Sequence, residues 1–199
     1  MLFLCFTIAL VLFATVATSA ADEPQVRPTG PLVLKITSKK DHYLFVGDGK
    51  STKEYRADLE AMAKSQENGE RIHPPKALPV DLVMVLENTS RENVTVYVNG
   101  TANTHTFDLT GGAGVVTLKN TAAMPQFIRL PTAVTIEPGK SHEMPITTLA
   151  DGRRGNARLI YWTGPGEYTL VAKYTLVDQK GIKQSELESE PITISVTAK

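Results

Sequence analysis

The segment Trp162-Thr163-Gly164-Pro165-Gly166-Glu167-Tyr168-Thr169-Leu170-Val171-Ala172-Lys173-Tyr174 constrains this chain more than any other. A turn built on Gly-Pro-Gly feeds a run in which Tyr168, Leu170, Ala172 and Tyr174 alternate with Thr169, Val171 and Lys173. Alternation with period two buries one face of a strand and wets the other. A tyrosine just past a corner, opening a long late strand, tucks its ring under the corner and bonds its hydroxyl to the backbone upstream. The segment speaks of a layered β fold and carries no chemistry of its own.

The rest of the chain repeats the pattern. Strands are expected at Val33 to Thr37, His42 to Val46, Val80 to Glu87, Val94 to Val98, His105 to Leu109 and Val115 to Lys119. More are expected at Gln126 to Leu130, Ala133 to Ile136, Ser141 to Thr147, Arg158 to Thr163, Glu167 to Val177 and Pro191 to Thr197. Asn99-Gly100 is a hairpin signal between two of them. One helix interrupts the series, at about 52–68. Ser51-Thr52-Lys53-Glu54 reads as a capping box; Tyr55, Leu59 and Met62 share a face; Gly69 closes the C-terminus. His73 to Pro79, with three prolines, reads as a stiff extended linker. Short strands spaced by turn signals predict an all-β, antiparallel sandwich with one short amphipathic helix inserted near the N-terminus, a single domain over 32–199.

Leu2 to Val16 is an apolar run broken only by Thr7 and Thr15, ending in Ala17-Thr18-Ser19-Ala20-Ala21. Small residues after a short apolar run predict a signal peptide over 1–20, and a span of ~20 apolar residues is what a membrane helix needs. Residues 21–31 then form a disordered N-terminal segment, and the mature chain is secreted or periplasmic, with no transmembrane segment. Cys5, the only cysteine, lies inside the leader. A thiol-free mature chain excludes disulfides, zinc-thiolate sites, blue-copper sites and cysteine nucleophiles. Lys and Arg number 21 against 21 Asp and Glu. Such a balance leaves no electrostatic footprint for nucleic acid.

Three pieces carry a resemblance. Leu86-Glu87-Asn88-Thr89-Ser90 precedes a Val-rich strand, Ile136-Glu137-Pro138-Gly139-Lys140-Ser141 follows, and Pro165-Gly166-Glu167-Tyr168-Thr169-Leu170 comes last. Together they resemble the immunoglobulin-like β-sandwich modules of bacterial exported proteins, and are similar to the bacterial proteinase-inhibitor type of that sandwich, over residues 80–199. Residues 42–79, with the helix, depart from the minimal module. The resemblance implies a binding or structural module without enzymatic activity. Its partner would be a protein or cell-envelope component, met through edge strands or end loops. The inhibitor alternative puts a protruding loop at Gly152 to Asn156.

Chemical motifs fail one by one. Gly49-Lys50-Ser51 precedes a helix as in a phosphate-binding loop, but the glycine required five residues before Gly49 is Leu44. Gly112-Ala113-Gly114 lacks the third glycine of a dinucleotide turn and opens a strand. Acidic residues are scattered singly, so no carboxylate pair emerges for glycoside chemistry. No catalytic, cofactor-binding or metal residue is therefore assigned, and no cofactor. One weak constellation stands out: His142 and Met144, two apart on a strand, share a face. Imidazole plus thioether suits copper, His-x-Met being a piece of the site in exported copper chaperones, and His105 and Met124 could complete the set. The plainer expectation makes Met144 core. Arg153, Arg154 and Arg158 read as a solvated basic loop. Asn88, Asn93 and Asn99 each satisfy the glycosylation sequon, but the expectation is that they are β-turn residues; whether they are ever glycosylated the sequence leaves open.

Overall fold

The computed structural model describes residues 30–120, 128–152 and 157–199. The expected leader with Cys5, most of the expected N-terminal segment, Met124, Arg153 and Arg154 lie outside the described residues. In chain order the elements are β1 (Leu32–Ser38), β2 (Tyr43–Phe45), α1 (Thr52–Glu67), β3 (Pro79–Asn88), β4 (Val94–Val98), β5 (His105–Gly111) and β6 (Val115–Asn120). There follow β7 (Thr132–Ile136), β8 (Ser141–Thr148), β9 (Ala150–Asp151), β10 (Ala157–Trp162), β11 (Gly166–Val177), β12 (Lys183–Glu188) and β13 (Ile192–Ala198). The fold is all-β with one helix among the described residues.

The strands form three sheets around one cluster of buried apolar side chains. In the first, β3 lies between β1 and β8, both antiparallel to it. In the second, β10 lies between β6 and β9. The third is built on β11, whose twelve residues are long enough to serve two neighbours on each side. On one edge β13 pairs with Gly166 to Leu170 and β12 with Lys173 to Val177. On the other, β5 pairs with Tyr168 to Tyr174 and β4 meets Val177. Ser189 makes the join between β12 and β13. Its backbone N–H donates to the Ala172 carbonyl at 2.8 Å, while its hydroxyl accepts from the Ala172 N–H at 2.9 Å. The side chain thus substitutes for a ladder carbonyl just before Pro191. Finally β2 runs parallel to β13, Val196 opposite Tyr43, and closes that side of the sheet.

The corner reads as its sequence requires. Tyr168 is fully buried. Its hydroxyl donates to the Gly164 carbonyl at 2.7 Å and accepts from the Ala113 N–H at 3.2 Å. A buried phenol needs such partners. The ring rests on Gly112, where a Cβ would stand 2.2 Å from the ring and where φ is +51°. Glycine is the residue that meets both demands.

The helix is stopped and started by its expected residues. Ser51 accepts from the Glu54 N–H, and the Glu54 carboxylate accepts from the Ser51 N–H, a complete capping box. Gly69, at φ +81°, ends the helix with its N–H on the Gln66 carbonyl. Tyr55 and Leu59 are buried, and Met62 packs against the core beside them. Gln66 reaches the open edge of β6, donating to the Lys119 carbonyl at 2.7 Å and accepting from its N–H at 2.8 Å. An amide side chain thereby pairs with the edge as one strand residue would.

Two expectations differ from the structure, and two of its strands were not expected. Asn99-Gly100 does not close a hairpin: β4 pairs with β7, and β5 pairs with β11. The reason is Asn103, whose side chain accepts from the Gly100 N–H and donates to the Tyr97 and Thr175 carbonyls, holding the two strands end to end. Ile128 to Leu130, the described part of the expected strand 126–130, is irregular and exposed, and the strand begins at Thr132. The stretch 73–79, read as a stiff extended linker, is tied to the sheets through its carbonyls. The Pro75 carbonyl accepts from the buried Tyr161 hydroxyl at 2.7 Å, and the Leu78 carbonyl from the Leu149 N–H. Lastly, β9 and β12 are strands without apolar alternation: β9 has two residues and β12 reads Lys-Gln-Ser-Glu-Leu-Glu.

Candidate functional site

β8 is an edge strand of the first sheet. Its alternation turns His142, Met144 and Ile146 to the inner face, opposite Leu86, Met84 and Leu82 of β3 in the antiparallel register. Leu82, Met84 and Leu86 are buried, Ile146 nearly so, and His142 and Met144 are half-buried. A ladder that grows more open toward one end of an edge strand leaves a mouth there. The cleft at this mouth has a volume of about 480 Å³.

The far wall comes from the third sheet. His105 on β5 and Tyr174 on β11 are direct cross-strand neighbours. Burial pushes the Tyr174 phenol up to about 12. The His105 Nε2 lies 3.2 Å from the Ala150 carbonyl, and its ring stacks at 5.1 Å on Phe107. A carbonyl only accepts, so that contact holds the proton on Nε2 and leaves Nδ1 as the lone-pair nitrogen. The rim is made by the turn after β4, with Asn99, Gly100 and Asn103, and by Arg129. Arg129 is fixed through its backbone: its N–H donates to the Thr101 hydroxyl at 2.7 Å, and its carbonyl accepts from the Thr101 N–H at 2.9 Å. Gly100 permits this approach, since a Cβ there would stand 2.8 Å from the Pro131 nitrogen.

Three of the four residues weighed as a copper set, His105, His142 and Met144, therefore line one cleft; Met124 lies outside the described residues. Met84 joins them, and the sequence had shown it only as one inward position of an alternating strand. Its pairing with Met144 was not legible, because β3 and β8 are far apart in the chain and register is set by the fold. Among the described residues no group of three or more His, Cys, Asp or Glu side chains could hold a metal ion.

The other sequence candidates resolve differently. Arg158 is not part of a solvated basic loop. It lies on β10 and forks onto Asp151, Nε to Oδ1 at 2.8 Å and NH2 to Oδ2 at 2.6 Å. The Asp151 side chain has no exposed surface and also accepts from the Phe107 N–H at 2.7 Å. Burying that carboxylate demands such partners, and the arginine is what satisfies it. Of the inhibitor loop Gly152 to Asn156 only Gly152 is described, its N–H on the His105 carbonyl at 3.0 Å. Lys50 pairs with Asp58 at 2.5 Å, and Glu54 occupies the Ser51 N–H and hydroxyl, so the donors of a phosphate loop are taken.

Asn88 is fully buried. Its Nδ2 donates to the Glu92 and Ile136 carbonyls, and its Oδ1 accepts from the Ser90 N–H and hydroxyl. The nitrogen a glycan would occupy is committed to the turn, whereas Asn93 and Asn99 are exposed. A second hollow of about 390 Å³ lies beside β2, between Lys40, His42 and Trp162, with Leu44 and Val46 exposed at its lip. No helix among the described residues is long and apolar enough to cross a membrane. The chain matches no protein-family model, and no curated protein matches it in sequence.

Proposed function

We propose that this protein is an exported, non-enzymatic binding module of the cell envelope, and that its recognition site is the cleft between β8 and the β5–β11 wall. The observation that supports the reading is the cleft itself. It brings two imidazoles, two thioethers, a guanidinium and carboxamides into about 480 Å³ at an edge the fold leaves open. A concave site with an apolar floor and a few convergent polar groups is the usual form of a ligand site. The layered sheets and the tyrosine corner are further read as an immunoglobulin-like sandwich, in which open edges and end loops meet partners.

Thermal unfolding of the purified protein, with and without an extract of the native envelope, tests the site. Extract should raise the melting temperature of the natural protein by mass action and leave His142→Trp, which fills the mouth of the cleft, unmoved. Equal shifts in both would place recognition elsewhere. Export has its own test, since the mature chain should begin at Ala21 or Asp22 and be recovered outside the cytoplasm. Intact-mass measurement decides it, and a soluble product retaining residues 1–20 would sink the exported reading.

A further inference from the structure

We infer that the cleft takes a soft monovalent metal ion of the copper(I) class, held by the thioethers of Met84 and Met144 and the imidazole of His142. This names the ligand of the cleft and so rests on the binding reading above.

The geometry begins with the register. Met84 and Met144 are direct partners across β3 and β8, on the same face. Directly opposed residues bring their Cβ atoms within ~4.5–5.5 Å, and a residue two along the partner strand lies ~7–8 Å away on the diagonal. His142 holds that diagonal position relative to Met84. Three side chains of this length, so spaced, can converge on one point above the strands. The His142 backbone is in the ladder with Leu86, and its imidazole has no hydrogen-bond partner among the described residues. Burial grades across the set: Met84 is 1% exposed, while Met144 and His142 are half-buried. A dry floor with an open mouth lets an ion enter and then loses it slowly.

The donor chemistry chooses the ion. Thioethers select copper(I) among the first-row metals, whereas carboxylates and imidazole sets serve the divalent ions. Among the described residues no group of three His, Cys, Asp or Glu side chains could hold a metal ion, and Met84 and Met144 are the soft donors that line the cleft. Charge agrees. The cost of moving an ion from water toward an apolar floor rises with the square of its charge, so a divalent ion is penalised about four times as heavily in a Born estimate. Arg129 and Glu143 both line the cleft, so its fixed charges are of opposite sign and the donor atoms decide the choice of ion. Across the cleft, His105 lines the opposite wall, its Nε2 3.2 Å from the Ala150 carbonyl.

The experiment is an anaerobic titration of the mature protein with copper(I) against a competing chromogenic chelator, followed by methyl NMR of labelled methionines. One ion per chain should bind. His142→Ala and Met144→Leu should each weaken binding by about tenfold or more, since even residues that only orient a ligand are worth that much. Met→Leu conserves volume and leaves the core intact, and Met62→Leu, on the helix, should change nothing. The Met84 and Met144 methyl signals should move on loading, and that of Met62 should not. Failure to compete for copper(I), equal binding of zinc, or undiminished affinity in Met144→Leu overturns the inference. If copper(I) is ignored while His142→Trp still abolishes the shift caused by envelope extract, the metal falls and the cleft stands. If both are silent, both readings fall.

Discussion

Tyr168 and Gly112 form a pair whose energetics can be worked from contacts on both sides. Tyr168→Phe keeps the buried ring but removes the hydroxyl that serves the Gly164 carbonyl and the Ala113 N–H. Leaving buried groups without a partner costs ~1–3 kcal/mol. Tyr168→Ala also removes the ring that packs beside Trp162, centroids 6.4 Å apart, and should cost ~3–5 kcal/mol. Gly112→Ala works from the other side. Its φ of +51° adds ~1–2 kcal/mol for a residue with a Cβ, and the new methyl meets the Tyr168 ring at 2.2 Å. Such overpacking adds ~1–3 kcal/mol more. In the Tyr168→Ala background the collision disappears and the backbone cost remains. The double variant should therefore be more stable than the sum of its parts by ~1–3 kcal/mol. Urea denaturation of the four proteins measures the cycle, with an osmolyte present so that all remain folded. A Phe variant as stable as the natural protein, or a Gly112→Ala cost that ignores the tyrosine, would refute the corner as described. Lys173→Ala should rank last in the same assay. Its ammonium only meets Asp108 and Glu188 on the outer face of β11.

Asp151→Ala should cost ~2–3 kcal/mol by leaving the Phe107 N–H and the Arg158 fork unmatched, and Asp151→Asn should recover part of it; equal losses would mean the charge is irrelevant. Ser51→Ala should lower stability by ~1 kcal/mol through loss of the helix cap, seen as a lower urea midpoint with an unchanged slope. Burial raises the phenols of Tyr161, Tyr168 and Tyr174, so the folded protein holds protons that the unfolded chain releases near pH 10. The stability that depends on these protons is intact below about pH 10 and falls as pH rises above it, the share of Tyr174 being lost by about pH 12. A flat urea midpoint across that interval would contradict their burial.

The elements that were legible in the sequence are those whose signal is local. The capping box of Ser51 and Glu54 and the alternation of β11 depend on neighbours a few residues away, and both appear as read. Two strands were invisible for a physical reason. β12 is held by the backbone ladder of β11 and exposes nearly every side chain, so no alternation marks it. The Asn99-Gly100 turn was misread because its outcome is decided by Asn103 reaching Thr175, a contact across much of the chain. The cleft was half legible. His142 and Met144 announce themselves by spacing on one strand, while Met84, Arg129 and Tyr174 arrive from other strands and segments, through long-range pairings. Arg158 shows the reverse case, a residue whose sequence neighbours suggest a wet loop and whose strand partner is a buried carboxylate.

The position of β13 bears on when this protein can fold. Residues 192–198 lie between β11 and the parallel β2, joining segments from opposite ends of the described chain. Until they are present, the first half of β11 has β5 on one edge and nothing on the other, and among the described strands β2 has no ladder partner. Closure of the sheet must therefore wait for residues 192–198 to emerge, and pairings so distant in sequence form slowly. A growing chain would consequently stay open during synthesis, with the half-made edge of β11 exposed to self-association.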